Sequence, residues 1–127
     1  MTALLIIDMQ VGMTWPALEP LPTEHVVEKN VPDAFINTGL EPWLHARGES
    51  AVVIVGVSTN NSVEATARTA GNLGFKTYVV SDATFTFSKI DFDGVMRTAK
   101  EVHAMSLANL HGEYATVIHS EQATHAG

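Results

Sequence analysis

Two segments of this sequence are apolar at every position, and this feature restricts the fold more than any other. They are Ala3–Ile7 and Ala51–Val57. A strand without alternating polar residues is buried on both faces, which is typical of a parallel sheet covered by helices. Apolar residues at helical spacing over about 62–73 and 94–110 alternate with these strands. We therefore predict an α/β fold with three layers, α/β/α, around a doubly wound parallel sheet.

Shorter signals predict the remaining elements. Thr38 and Glu41 form an expected capping box for a helix that ends at Gly48. Further strands are predicted over 77–81 and 114–119, and a loop with three phenylalanines, Phe85, Phe87 and Phe92, follows the first of these strands. A chain of 127 residues is long enough to bury a core, and we expect residues 1–127 to form a single domain.

The charge balance and the absence of cysteine exclude several classes of function. A net charge of −7 with only 7 Lys and Arg argues against binding to nucleic acid or to an anionic membrane. Without cysteine there is no disulfide, thiolate metal site or catalytic thiol. The sequence also lacks a signal-peptide pattern, a membrane-spanning apolar stretch, a His-Glu-x-x-His metal motif and a Gly-rich phosphate loop after the first strand. We expect a cytoplasmic protein that acts on a small molecule without a metal or cofactor.

Polar residues follow three of the predicted strands, at the end of the sheet where ligands bind in such folds. They are Asp8, the turn 58–62 and Ser81-Asp82. Ser62 is the most informative, because a helix N-terminus favours developing negative charge and provides unpaired N–H groups. Ser62 is therefore a candidate nucleophile, although Ser62 or Asn61 at this position is also explained as an ordinary N-cap.

Two further residues have both a functional and a structural explanation. Asp8 is a candidate general base, or it accepts backbone hydrogen bonds in the turn that follows its strand. Lys29 is a candidate for stabilising an anion or lowering the pKa of a nucleophile, or it is a solvated surface charge among acidic neighbours. The sequence pattern around each residue does not decide between these alternatives.

Several segments together resemble the isochorismatase-like, or cysteine hydrolase, family. Three segments match the family's catalytic motifs. They are the opening strand with its Asp-x-Gln (Ala3–Gln10), the segment around Lys29 (26–40) and the turn before Ser62 (Val55–Arg68). Gly74-Phe75, Ser81–Ala83 and Glu101–Leu110 continue the match. The resemblance covers nearly the whole chain, and its segment before Ser62 is the most specific.

This resemblance implies roles for individual residues. Asp8 would be the base, Lys29 the cationic partner, and Ser62 would stand where the family has its nucleophilic cysteine. The N–H groups of Ser58 and Ser62 would form the oxyanion hole, and the bond between Val57 and Ser58 would be cis. Three residues are predicted to contact the substrate: Trp15, Asn61 and Phe85. The family hydrolyses small amides, imides, ureas or a vinyl ether, and its members usually form oligomers, so we expect a homo-oligomer.

The sequence departs from the family pattern in two places. A serine hydroxyl is much harder to ionise than a thiol, so Ser62 implies a slow ester-forming hydrolase, a protein that binds without turnover, or a serine introduced to trap substrate. The family also has a strand–helix unit after its opening strand, whereas here Gly12–Trp15 joins the flanking segments directly. The region of that unit carries metal ligands in one branch, so we predict no metal site. The main alternative function is a catalytically silent binding or scaffolding protein.

Overall fold

The computed structural model describes residues 1–7 and 29–123. Within them, the strands and helices are β1 Thr2–Ile7, α1 Leu40–Ala46, β2 Ala51–Val57, α2 Glu64–Asn72, β3 Lys76–Phe85, β4 Lys89–Ile90, β5 Met96–Arg97, α3 Ala99–Leu110, β6 Thr116–Ile118 and α4 Ser120–Ala123. A π-helical turn, Thr59–Val63, joins β2 to α2. Of the sequence predictions, those for Asp8 and Trp15 and for the missing strand–helix unit fall outside the described residues.

Four of the strands form the predicted parallel sheet, in the order β1-β2-β3-β6. Because all four run in the same direction, their carboxyl ends lie along one edge of the sheet. The flanking helices and this sheet confirm the predicted α/β fold. No helix in the described part of the chain is long and apolar enough to cross a membrane.

The larger core cluster lies between the sheet and its helices. It joins side chains of β2 and β3 to side chains of α1, α2 and α3, among them Val52, Ile54, Val79, Leu44, Ala67 and Leu110, each 0% exposed. A smaller cluster on the opposite side of the strands consists of Val53, Val80 and Ile118. These buried aliphatic residues explain why β2 has no polar position.

The prediction that β1 is buried on both faces is wrong. Leu4 and Ile6 are 60% and 53% exposed, whereas Ala3, Leu5 and Ile7 face the larger cluster. An apolar run therefore identified the strand but not its burial. β1 pairs with β2 alone among the described strands. The expected homo-oligomer stays a prediction.

The capping box predicted at Thr38 is also wrong. Gly39, in a left-handed conformation, is the N-cap of α1 and makes no side-chain capping bond. The Thr38 hydroxyl instead donates to the Ala34 carbonyl at 2.5 Å and so closes the preceding turn. A complete capping box is present at the start of α3, where Thr98 and Glu101 each bond the other's backbone N–H.

The chain between β3 and α3 is more regular than the sequence predicted. β3 continues to Phe85, although the register of its pairing with β2 shifts on the way. The Thr84 hydroxyl donates to the Val80 carbonyl at 3.0 Å in this part of the strand. β4 and β5 then form an antiparallel hairpin, and α3 begins at Ala99 rather than near Gly94. Two-residue strands with exposed side chains give no apolar alternation that a sequence pattern could detect.

Candidate active site

The chain turns sharply at the carboxyl end of β2. The bond between Val57 and Ser58 is cis, as the resemblance implies. The Ser58 carbonyl then accepts hydrogen bonds from the N–H groups of Asn61 and Val63, both at 3.1 Å. The bond to Val63 spans five residues, which makes the turn π-helical, and such turns are frequent at functional sites.

Ser62 lies within this turn and is 8% exposed. Neither Ser62 nor Asn61 is an N-cap, since Ser58 precedes the π-helical turn and Val63 precedes α2. N-capping therefore does not explain the presence of these two residues in the turn. The hydroxyl of Ser62 has a different contact.

The contact of Ser62 is with Lys29, 33 residues earlier in the chain. The Lys29 ammonium donates to Ser62 Oγ at 3.4 Å. Because an ammonium can only donate, Ser62 Oγ is the acceptor and its own hydrogen stays available for another acceptor. This arrangement suits a hydroxyl that must give its proton to a base, and the positive charge stabilises negative charge on the oxygen.

The segment after Lys29 is bonded to α2, the helix that follows Ser62. Thr66 Oγ1 accepts from the Ala34 N–H at 3.0 Å, and the Thr69 hydroxyl donates to Asp33 Oδ2. Asp33 Oδ1 also accepts from the Phe35 N–H at 2.9 Å. These bonds attach residues 33–35 to α2, so the segment that follows Lys29 is held against the helix that follows Ser62.

His103 connects the turn to β3. Its Nε2 lies 2.9 Å from the Ser81 carbonyl, which can only accept, so Nε2 carries the hydrogen. In the neutral ring, Nδ1 is then the acceptor for the Thr59 hydroxyl at 2.8 Å. Thr59 is 0% exposed, so its hydroxyl depends on this partner.

Ser106 makes a second connection from α3 to the turn. Its hydroxyl lies 3.0 Å from the Thr59 carbonyl and 2.6 Å from Glu64 Oε1. Glu64 Oε2 accepts two hydrogen bonds from Arg68, at 2.8 and 3.0 Å, and this bonding raises the pKa of the Arg68 guanidinium. The sequence did not single out His103 or Ser106 as residues of the site. The i, i+3 spacing of His103 and Ser106, which places both on one helix face, is the signal that could have revealed the pair.

A cavity of about 340 Å³ lies beside the turn. The described residues that line it come from the turn and from the end of β3 to β4: Ser58, Asn60, Asn61, Thr86, Phe87, Ser88 and Lys89. Asn61, a predicted substrate contact, is among them, but Phe85 is not. Phe85 pairs with Val57 at the end of β3 and is 59% exposed, and its proposed substrate contact stays a prediction.

Asp82, the third polar position predicted at this edge, has a structural role. Its carboxylate accepts from the Ser120 backbone at 2.7 Å and from the Ser120 hydroxyl at 2.5 Å, and it lies 3.2 Å from His119 Nε2. The hydrogen bond from the Ser120 hydroxyl holds the pKa of Asp82 below its usual range. Asp82 thus joins β3 to the start of α4. No group of three His, Asp or Glu in the described part of the chain could hold a metal ion.

The fold and the turn together define a parallel α/β protein that presents a serine beside a lysine at the carboxyl end of its sheet. A model of the isochorismatase domain matches residues 14–122. A solved structure of an isochorismatase-family protein from Chromobacterium violaceum has a TM-score of 0.85 and 45% identity, over 98% of this chain and 70% of that chain. The chain belongs to the isochorismatase family.

Two curated relatives extend this comparison. The uncharacterized isochorismatase family protein YrdC of Bacillus subtilis is 40% identical over 105 residues, which are 83% of this chain and 56% of that protein. Maleamate amidohydrolase of Pseudomonas putida is 41% identical over 66 residues, which are 52% of this chain and 31% of that enzyme. The chain spans about half the length of YrdC and a smaller part of the amidohydrolase.

Proposed function

We propose that this chain is a hydrolase of small amides, ureas or related carbonyl compounds, with Ser62 as its nucleophile. The observation that carries the proposal is the 3.4 Å contact between the Lys29 ammonium and Ser62 Oγ. The relative named as an amidohydrolase supports the reaction class. Ser62 Oγ would attack the carbonyl carbon, and the N–H groups of Ser58 and Ser62 would stabilise the oxyanion.

Asp8 is the proposed general base. β1 ends at Ile7, which pairs with Gly56, so the chain leaves β1 at the same edge of the sheet as Ser58. The base would accept the Ser62 proton and return it to the leaving amine, which leaves an ester on Ser62. A water molecule, deprotonated by the same carboxylate, would then attack the ester, release the acid and restore the hydroxyl.

Lys29→Met tests the role of the ammonium directly. The substitution keeps an unbranched side chain but removes the charge, so we expect kcat to fall about 100-fold with a smaller change in KM, because the charge acts mainly on the transition state. The measurement is steady-state kinetics on the best substrate from a screen of small amides, ureas and esters. Lys76→Met, at the amino end of β3, is the control and should leave kcat unchanged. Equal kcat values for Lys29→Met and the native chain would contradict the proposal.

A pair of His103 variants tests whether the Thr59 contact positions the turn. His103→Asn keeps an acceptor near the Nδ1 position, and His103→Gln keeps a donor near the Nε2 position. Each loses one hydrogen bond, so the free energy of unfolding should fall by a similar amount, about 1 kcal/mol, in both. We expect kcat to fall about tenfold in His103→Gln and to stay within about threefold in His103→Asn, since only the latter retains the bond to Thr59. Equal kcat losses in the two variants would show that His103 only stabilises the fold.

A further inference from the structure

We propose that Ser106 of α3 is a positioning residue, which holds the turn after β2 in its π-helical register. This register keeps the Ser62 N–H available for the oxyanion of the substrate. The inference rests on the proposed function and assigns the geometry of its oxyanion hole to a residue outside the turn. It follows from the hydrogen bonds of the turn, from the two contacts of Ser106 and from the burial of these groups.

The carbonyl groups of the turn are bonded in a register that passes over Ser62. In an α-helix each carbonyl accepts from the N–H four residues later, so the Ser58 carbonyl would bind the N–H of Ser62. Here the Ser58 carbonyl accepts instead from Val63, one residue further along, at 3.1 Å. The Thr59 carbonyl accepts from Glu64 with the same spacing. The Ser62 N–H is therefore not taken up by Ser58, and it can donate to a substrate oxygen that becomes negatively charged.

Ser106 contacts both ends of this turn. Its hydroxyl lies 3.0 Å from the carbonyl of Thr59, the first residue of the turn, and 2.6 Å from Oε1 of Glu64, the residue that follows it. Because a hydroxyl has a single hydrogen, the carbonyl and the carboxylate share it in a three-centre bond. One side chain of α3 therefore fixes the distance between the two ends of the segment that contains Ser62.

Glu64 is itself held in place, so Ser106 has a fixed partner at the far end of the turn. The other oxygen of this carboxylate, Oε2, accepts two hydrogen bonds from Arg68, at 2.8 and 3.0 Å. Cζ of Arg68 also lies 4.7 Å from the centre of the Tyr114 ring, in a cation–π contact. Since both oxygens of the carboxylate are bonded, Glu64 has little freedom to move away from Ser106.

The groups that hold the turn are excluded from water. Ser106 is 2% exposed, and Thr59 is completely buried. If the Ser106 hydroxyl is removed, the buried Thr59 carbonyl loses one of its two donors and has no water to replace it, so the π-helical register loses stability. The α-helical register is the nearest alternative, because α2 continues directly from the turn and π-helical turns are rare.

The position of α3 does not depend on Ser106. The helix begins at the capping box of Thr98 and Glu101, and near its other end Leu110 is completely buried in the larger core cluster. His103 makes its own hydrogen bonds to the turn and to β3. We therefore expect α3 to stay in place in Ser106→Ala, so that this substitution alters the turn and not the fold.

Steady-state kinetics of Ser106→Ala test the role of this residue in catalysis. We expect kcat on the best substrate of the screen to fall by at least about tenfold while KM stays within about twofold, because the Ser62 N–H acts on the oxyanion and not on the bound ground state. Thr77→Val is the matched control and should retain native kcat. Thr77 is also buried, and its hydroxyl also donates to a backbone carbonyl, that of Phe75 at 3.0 Å, but it lies at the amino end of the sheet. Equal kcat values for Ser106→Ala and Thr77→Val would overturn the inference and leave the proposed hydrolase intact.

A measurement that does not need turnover separates this inference from the proposed function. In the isotope-labelled native chain, NMR couplings across hydrogen bonds should join the Val63 nitrogen to the Ser58 carbonyl carbon. In Ser106→Ala a coupling from the Ser62 nitrogen to the same carbon should replace it, whereas Thr77→Val should keep the native coupling. This change of register in a chain that hydrolyses nothing refutes the hydrolase and retains the control of the turn by Ser106. An unchanged coupling in Ser106→Ala refutes the inference whether or not the native chain is active.

Discussion

Ser62→Ala is expected to lower kcat by about 1,000-fold or more while KM changes little. Removal of a nucleophile leaves only the catalysis that substrate binding and the oxyanion hole provide. The hydroxyl acts mainly in the transition state, so ground-state affinity should be nearly unchanged. Ser50→Ala, an exposed serine before β2 at the amino end of the sheet, is the control and should retain native kcat. A Ser62→Ala variant with native kcat would show that another group attacks the substrate.

Ser62→Cys is the second variant to compare with the native chain, because we expect it to raise kcat. A thiol ionises near pH 8.5, far more easily than a serine hydroxyl, and the Lys29 ammonium at the site of Ser62 Oγ should favour the thiolate further. The introduced sulfur should form a thioester, and mass spectrometry of the quenched reaction would show an acyl group in place of the ester of the native chain. If neither the native chain nor Ser62→Cys turns over any small amide, urea or ester, the hydrolase proposal fails and a binding function replaces it.

Gly56→Ala is expected to destabilise the fold by more than about 3 kcal/mol. Gly56 has a φ of 125°, and a Cβ at this position would lie 2.0 Å from the Ile7 carbonyl oxygen. Both atoms belong to paired strands, so the clash requires β1 and β2 to separate at the edge that carries the site. The measurement is the free energy of unfolding from urea denaturation.

Gly48→Ala is the matched control for this substitution. Gly48 has a φ of 72°, but a Cβ there has nothing within 4 Å, so the variant reports the cost of the left-handed backbone alone, about 1 kcal/mol. The difference between the two variants isolates the contact of Gly56 with Ile7. Similar losses in both would contradict the close approach of the two strands.

The positions of the strands along the chain and the place of Ser62 after β2 could be predicted because both depend on local patterns. Val52, Ile54 and Val79 are buried in one cluster, and their apolar runs are visible in the sequence without knowledge of the contacts. The turn after β2 follows from the polar residues at the end of such a run. The burial of β1 could not be predicted in this way, because exposure of Leu4 and Ile6 depends on what lies against the sheet.

The partners of Ser62 were beyond local patterns. Lys29 has the appearance of a solvated lysine among acidic residues, and only the family resemblance indicated that it would lie beside Ser62. Its contact joins positions 33 residues apart and depends on the bonds of Asp33 and Ala34 to α2. The helical spacing of His103 and Ser106 places them on one face of α3, but the contact of His103 with Thr59 joins positions 44 residues apart and depends on how α3 packs against the turn.

The oxygen of Ser62 beside Lys29 has a consequence for the response of the proposed site to oxidants. A thiolate next to an ammonium is the kind of group that is oxidised first, to sulfenic acid and then irreversibly to higher acids. A hydroxyl is not oxidised in this stepwise way, and the chain contains no cysteine. An oxygen at this position makes the site independent of the redox state of its surroundings and unreactive towards thiol-directed reagents. If Ser62 is the nucleophile, as proposed, its oxygen is a weaker nucleophile than a thiolate would be but is resistant to peroxide.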